Sequence, residues 1–429
     1  MINSLVNEEL FVGKMPLWQS GGEVEGAYCF LDGEKYYQIR NYDQMPPFFM
    51  SIVSSADHWL FISSTGGLSA GRVNAESALF PYYTDDKLAE NSDNTGHLAS
   101  FIVSDGIRRQ RWDPFSNQYA GAYQIGRNLY KNVTGDKLVF EEINYDLQLT
   151  YRYAWRTSPK FGIVKTSWLQ NNSNQSLTVS VLDGLQNVLP YGATVALQTQ
   201  LSNLLNGYKR SELEPETGVG MFALSATLTD LAEPSESLKV STIWQCGLDE
   251  ARILLSTHQV AAFKHGAEVT QEAEIRGYRG AYLANTMLIL AADETQSWHF
   301  VAEVNQDHVQ LAALINQLRE NSAELPDLIE ADITKGNEAL EAIVASADGL
   351  QFSADTLSAN HHFANVLFNT MRGGIFANNY QVRKDDLLDF IQQRNRPVYQ
   401  ACEPLLQSLA TEFSYGELLR LADGSNEAD

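Results

Sequence analysis

The sequence has little cysteine, and its three thiols, Cys29, Cys246 and Cys402, are scattered. An odd number at such spacing argues against a disulfide framework. Apolar runs are short, and none approaches the ~18–20 residues needed to span a bilayer. The opening stretch from Met1 to Leu10 lacks both the basic region and the apolar core of a secretory leader. The sequons at Asn132, Asn171 and Asn174 carry no weight without one, and the expected compartment is the cytoplasm.

Basic charge is also scarce. Lys and Arg number 30 against 53 Asp and Glu, a formal charge of −23. Such a surface repels phosphate backbones and anionic lipid, so neither nucleic acid nor membrane is an expected partner. Metal motifs are lacking too. His58, His97, His258, His265, His299, His308, His361 and His362 form no HExxH pair and no zinc-spaced set with cysteine, so no metal is expected. The glycine-rich segment 64–71 matches neither the dinucleotide fingerprint nor the P-loop, and reads as a tight turn between strands. No cofactor is expected.

What the sequence does have is enough apolar material for a large interior, with 44% hydrophobic and 10% aromatic residues in 429. From 143 to 155, Ile143, Tyr145, Leu147, Leu149, Tyr151, Tyr153 and Trp155 take every second position. That period predicts one long strand with a buried face. Similar runs cover 162–169, 177–182, 239–244, 282–291 and 298–304, joined by short polar turns. Hairpin after hairpin without strand–helix alternation is the pattern of an antiparallel sandwich. The segment 63–96 reads as a long irregular excursion.

The period changes near Asn305. Leu311, Leu314, Ile315 and Leu318 predict an amphipathic helix with Asp307 near its start. Further helices are expected over 327–346, over 359–372 with a stop at Gly373 and Gly374, and over 385–394 and 397–410. The expected fold class is therefore mainly β, an antiparallel sandwich followed by an α-helical linker and a few C-terminal helices.

Candidate sites are few. Glu141 and Glu142, like Asp385 and Asp386, are sequence neighbours whose side chains diverge, so neither pair is a natural catalytic dyad; solvated faces are expected. Segment 108–115 places three arginines beside Trp112, Asp113 and Pro114. Arg111, Trp112 and Asp113 can grip a polyhydroxylated ligand, or Trp112 can pack in the core while the arginines pair with surplus acid. Asn365, Asn369 and Arg372 share a helix face, followed by Asn378 and Asn379. They can line a cleft or tie the helix down by hydrogen bonds.

In the order of these segments the chain resembles the N-terminal region of glycoside phosphorylases of the cellobiose-phosphorylase type and related (α/α)6-barrel glycoside hydrolases. The residues that carry the resemblance are 101–115, the strand 151–155, 279–283 leading into 288–291, 298–307, and 365–376. The resemblance implies a β-supersandwich like galactose mutarotase over 1–304, a helical linker over 305–350, and the start of an incomplete helical domain over 351–429. It implies a non-catalytic portion of an enzyme acting on glycosidic bonds, with carbohydrate and the remaining catalytic barrel as partners and a homodimer as its assembly. Inorganic phosphate would be the co-substrate of a phosphorylase. The catalytic acid would lie in the barrel and transfers to no residue here; substrate contacts would come from Arg111, Trp112, Asp113, Asn369, Arg372, Asn378 and Asn379. Helices after Lys384 would lack part of their packing and expose Leu387, Leu388, Phe390 and Ile391. A self-contained sugar-binding or mutarotase-like protein is the alternative, needing a carboxylate base and a histidine acid across a concave sheet.

Overall fold

The computed structural model describes residues 10–18, 22–117, 121–228, 236–321, 323–351, 353–373 and 380–424. The chain divides into two compact units, Met1–Gly336 and Asn337–Asp429. Among the described residues of the first, strands join into sheets of 11, 5 and 4 members and a two-stranded ribbon, Phe11–Val12 with Met15–Pro16. Neighbours in the large sheet run antiparallel, as do those of the five-stranded sheet. The chain is thus a mainly β, antiparallel supersandwich followed by linker helices and a helical C-terminal end.

Register decides which residues meet in the core. Strand Leu149–Ser158 pairs with Gly162–Asn171 so that Tyr153 faces Ser167 and Trp155 faces Lys165. Strand Thr295–Asp307 then sets Trp298 beside Ser167 and Phe300 beside Lys165. Alternation sends all of these side chains to one face. The five-stranded sheet answers with Phe101, Val181, Leu185, Tyr282 and Ala284 in the same buried cluster. Each Phe-sized side chain buried there contributes roughly 1.5–3 kcal/mol. Gly184 permits the closest approach, because a Cβ there would lie 2.0 Å from the Tyr282 carbonyl oxygen.

One polar bridge crosses this core. Lys165 Nζ donates to Asp183 Oδ1 at 2.5 Å, with neither side chain exposed. Ser167 and the Trp298 indole donate to Asp183 Oδ2 at 2.8 and 2.7 Å.

Two expectations need correction. The alternating run 143–155 is two strands, Leu138–Asn144 and Leu149–Ser158, joined by a hairpin turn. Asn144 Oδ1 accepts from the Leu147 N–H at 3.0 Å and Gln148 takes φ +53°. The four-residue turn preserves period two, so alternation could not reveal it. Segment 63–96 is ordered: strands Leu68–Arg72 and Ala78–Phe80 complete the four-stranded sheet, and helix Asp85–Glu90 follows.

The first linker helix, and the second as far as Gly336, belong to the first unit through its large sheet. Helix His308–Glu320 begins on a capping box, with Asp307 accepting from Val309 and Gln310 and the Gln310 side chain returning to the Asp307 N–H. Leu318, then Leu325, Ile329 and Ile333 of helix Leu325–Ser346, pack on Phe161, Val164, Trp244 and Val301. Arg156 grips Glu330 with both terminal nitrogens, at 2.6 and 2.5 Å.

In the second unit, helix Thr356–Met371 starts on Asp355, which accepts from the Ser358 N–H at 3.1 Å. It buries Phe363, Val366 and Leu367, and ends before Gly373 at φ +72°, as its glycine predicts. Residues 380–424 form a miniature module. Strands Gln381–Arg383 and Glu412–Ser414 pair, and helices Lys384–Arg394, Arg396–Ser408 and Tyr415–Gly424 surround Leu406, Leu409 and Phe413. Leu387, Leu388 and Ile391 are half-buried in this cluster rather than left open. Phe390 is 61% exposed, with the Arg394 guanidinium 5.7 Å above its ring.

Two measurements test this account. Lys165→Met leaves the Asp183 charge buried alone and should cost about 3–5 kcal/mol in urea unfolding. Lys165→Met with Asp183→Asn removes both charges, keeps an acceptor for Trp298, and should recover more than half of that loss; equal losses would refute the pairing. In hydrogen exchange, amides of 380–424 should open well before those of Leu149–Ser158, since the module's core is small. Equal protection would contradict this.

Candidate functional site

Strand Arg109–Trp112 edges the five-stranded sheet and pairs Trp112 with Phe101. Trp112 turns inward, 2% exposed, and its indole N–H donates to Glu142 Oε1 at 2.7 Å. Arg111 donates to the Lys264 carbonyl at 2.9 Å. Asp113 accepts from Ser100 Oγ at 2.5 Å and pairs with Lys264 Nζ at 3.1 Å. Arg111, Trp112 and Asp113, chosen from the sequence, thus line one cavity of about 400 Å³ together with Tyr123 and Glu142. Trp112 packs in the core cluster, as one reading of segment 108–115 expects, and also borders that cavity.

After Asp113 the chain turns with Phe115 at φ +63°, a conformation costing roughly 1–3 kcal/mol. Glu142 holds the turn: its Oε2 accepts from the Phe115 N–H at 2.7 Å and from Arg127 Nε at 2.8 Å. The Phe115 ring lies 5.2 Å from that of Tyr153 and 5.9 Å from that of His97. Around it opens a cavity of about 1000 Å³ whose walls include Tyr42, Arg127, Phe140, Tyr145 and Tyr153. A recess of about 70 Å³ beside it is lined by Thr65, His97, Gln186 and Lys264.

Glu141 and Glu142 are not solvated, contrary to expectation; each is 2% exposed. Their side chains do diverge. Glu141 accepts from Tyr130 and Asn128 at 2.7 Å and pairs with Arg152 on the far face of the strand. A bonded donor or cation for each carboxylate is what lets it be buried. Asp385 and Asp386 are exposed in the first turn of their helix, as expected.

His97 stacks on Tyr153 with centroids 4.0 Å apart. Neither ring nitrogen has a hydrogen-bond partner among the described residues. Burial, then the charge of Lys165, holds its imidazole well below the usual histidine range. Its Nδ1 is 3.8 Å from Asp183 Oδ1, but both oxygens of Asp183 are already engaged. Both oxygens of Glu142 are likewise taken. Glu142 and Asp183 are thus each held by three donors, whereas Asp113 Oδ2, with no hydrogen-bond partner among the described residues, faces only the charges of Lys264 at 3.1 Å and Arg111 at 3.5 Å.

The remaining candidates lie in the second unit or outside the described residues. Asn369 Nδ2 donates to the Asn365 carbonyl at 2.8 Å and its Oδ1 at 3.1 Å, while Arg372 is exposed. Asn378, Asn379 and Phe376 lie outside the described residues. Sequence reasoning missed Tyr42, Arg127 and Tyr153 as cavity walls. Alternation placed Tyr153 on a buried face, but nothing local showed that this face also borders a cavity.

Residues 376–429 match the sequence model of glycoside hydrolase family 149 insertion domain 1. No curated protein matches the sequence. A solved structure described as a kojibiose phosphorylase, from the human microbiome, is similar at 12% identity and TM-score 0.36, over 63% of this chain and 30% of that one. A bacterial glucoamylase complexed with acarbose gives 9% identity and TM-score 0.35, over 80% and 48%. A galactose mutarotase-like protein from Clostridium acetobutylicum gives 9% identity and TM-score 0.32, over 68% and 99%. The chain spans less than half of the first two, and at these values none of the three fixes an activity for it.

Buried neutral histidines give a pH test. His299 is lowered to about 4, by burial first and then by the Arg156 charge. In the unfolded chain both His97 and His299 titrate near ~6.5. Acid therefore protonates the unfolded state first. The stability tied to each neutral ring is complete above pH ~6.5 and falls below it by about 1.4 kcal/mol per pH unit. For His299 the loss ends near about 4. NMR of the folded protein at pH 5 should show His97 neutral; an imidazolium there would refute the assignment.

Proposed function

We propose that this chain is the N-terminal portion of a carbohydrate-active enzyme acting on glycosidic bonds, and that its sandwich takes no direct part in the chemistry. The observation that carries the reading is the match of 376–429 to an insertion domain of a glycoside hydrolase family. Its place behind a supersandwich and linker helices supports the same reading. The engaged oxygens of Glu142 and Asp183 support the non-catalytic part, because glycoside cleavage needs one carboxyl free to give a proton and, in most enzymes, a second to attack or activate water. On this reading the general acid comes from a helical barrel acting as partner, inorganic phosphate is co-substrate if the enzyme is a phosphorylase, and Arg111, Trp112 and Asp113 belong to a substrate-facing wall. Asn369, Arg372, Asn378 and Asn379 are assigned to the same role in the second unit. The cytoplasm is its assigned compartment.

A self-contained sugar-binding protein is the second reading, favoured by the large aromatic cavity beside Phe115. The mutarotase variant of it is disfavoured, since Asp183, the carboxylate next to His97, is locked to Lys165.

Activity assays separate catalytic from non-catalytic roles. The purified 429-residue chain, given disaccharides with and without phosphate, should show no turnover. Phosphate-dependent release of a sugar 1-phosphate, or hydrolysis abolished by Glu142→Gln with the fold intact, would overturn the proposal.

A further inference from the structure

We propose that the cavity of about 1000 Å³ beside Phe115 binds a neutral, polyhydroxylated ring, a pyranose, through the phenols of Tyr42 and Tyr153. The choice of a sugar rests on the carbohydrate reading above; the place rests on geometry alone.

Tyr42 and Tyr153 both line this cavity and are only 6% and 1% exposed. Buried tyrosines normally satisfy their O–H, and others in this sandwich do. Tyr130 bonds Glu141, Tyr151 bonds Ser167, Tyr123 donates to the Arg111 carbonyl and Tyr282 to the Gly218 carbonyl. Among the described residues, neither the Tyr42 nor the Tyr153 hydroxyl has a hydrogen-bond partner, and burial raises both phenols above the usual range. Tyr153 feels the Tyr42 phenol, and both feel the Arg127 charge. Burial keeps both phenols protonated, so each offers one donor and one acceptor.

The surroundings narrow the ligand. The Tyr153 ring is stacked between Phe140 at 4.9 Å and His97 at 4.0 Å, so its hydroxyl edge is what it offers, while Phe115, edge-on to it at 5.2 Å, and Tyr145 add apolar wall. An apolar ligand would seal two phenols without partners, which is costly. Among the described residues of the wall an anion finds no free counter-charge, because Arg127 is already paired with Glu142 and bonded to Asn117 at 2.9 Å, in a chain of charge −23. A pyranose has apolar ring faces and a rim of hydroxyls, and so satisfies both demands. The volume lies at the upper end of the ~300–1,000 Å³ usual for small-molecule sites, enough for more than one sugar unit.

The test uses the full chain with Tyr42→Phe and Tyr153→Phe, each of which removes one oxygen and keeps the ring. Binding of glucose, maltose and cellobiose is measured by calorimetric titration, with inorganic phosphate as a separate probe. The unmodified protein should bind at least one of the sugars saturably. Each variant should weaken that binding by about 3–10-fold, the worth of one hydrogen bond, while its melting temperature stays unchanged. Sugar binding equal in all three proteins would overturn the site yet leave the carbohydrate reading standing. A fall in melting temperature in both variants would show that the phenols are structural and overturn the proposal. Binding of none of the sugars would overturn the pyranose assignment, and saturable binding of phosphate alone would replace it with an anion site. Those last two results leave the separate turnover test of the enzyme reading untouched.

Discussion

Lys165 on the large sheet and Asp183 on the smaller one meet at 2.5 Å inside the sandwich, with no solvent to share the charge. Burying two ions costs several kcal/mol each unless the remaining donors and acceptors are met. Here Ser167 and Trp298 complete the Asp183 carboxylate, and the Lys165 ammonium lies 4.9 Å from the Phe300 ring centroid. Burial pulls the Lys165 ammonium below its usual range, while Asp183 opposes that pull. The pair also pins register. A slip of one residue in Gly162–Asn171 would turn Lys165 to the opposite face and strand Asp183 without its cation.

From this bridge the candidate site follows by contact. Tyr153 and His97 stack beside it, and the Lys165 charge that completes Asp183 is also what helps keep His97 neutral. Phe115 then closes over both rings on a turn whose φ would be unfavourable without the Glu142 carboxylate bonding its N–H. The same carboxylate takes the Trp112 indole and Arg127. Thus one glutamate joins the edge strand, the turn and the large sheet, and its engagement turns a potential acid into a structural clamp.

The far face of the large sheet has a different task. Arg156, on the strand that also carries Tyr151, Tyr153 and Trp155, holds Glu330 of the second linker helix. Burial opposes charge on Glu330, but the hydrogen bonds and charge of Arg156 outweigh it and keep the carboxyl below its usual range. The helical linker is therefore part of the sandwich's own packing through Ile333. The module at 380–424 instead carries a core of its own, with a two-stranded ribbon tying its first helix to its last.

The sequence by itself determined the local elements. Alternation specified the strands, Asp307 and Gln310 specified a helix start, and Gly373 specified a helix stop, because each signal lies within a few residues of what it controls. Arg111, Trp112 and Asp113 were also legible as a group, since a short strand and turn keep them together. Other features were decided only when the sheets met. Glu141 and Glu142 look like a solvated pair in sequence, yet Arg152 and Arg127 bury one on each face. The hairpin at 145–148 hid because its length kept the period intact. Tyr153 reads as an ordinary core aromatic, and Tyr42 carries no local signal of a site. Only the tertiary fold, which brings residues 41–47, Ser64, Thr65 and Phe115 around the large sheet, gives both residues a common cavity.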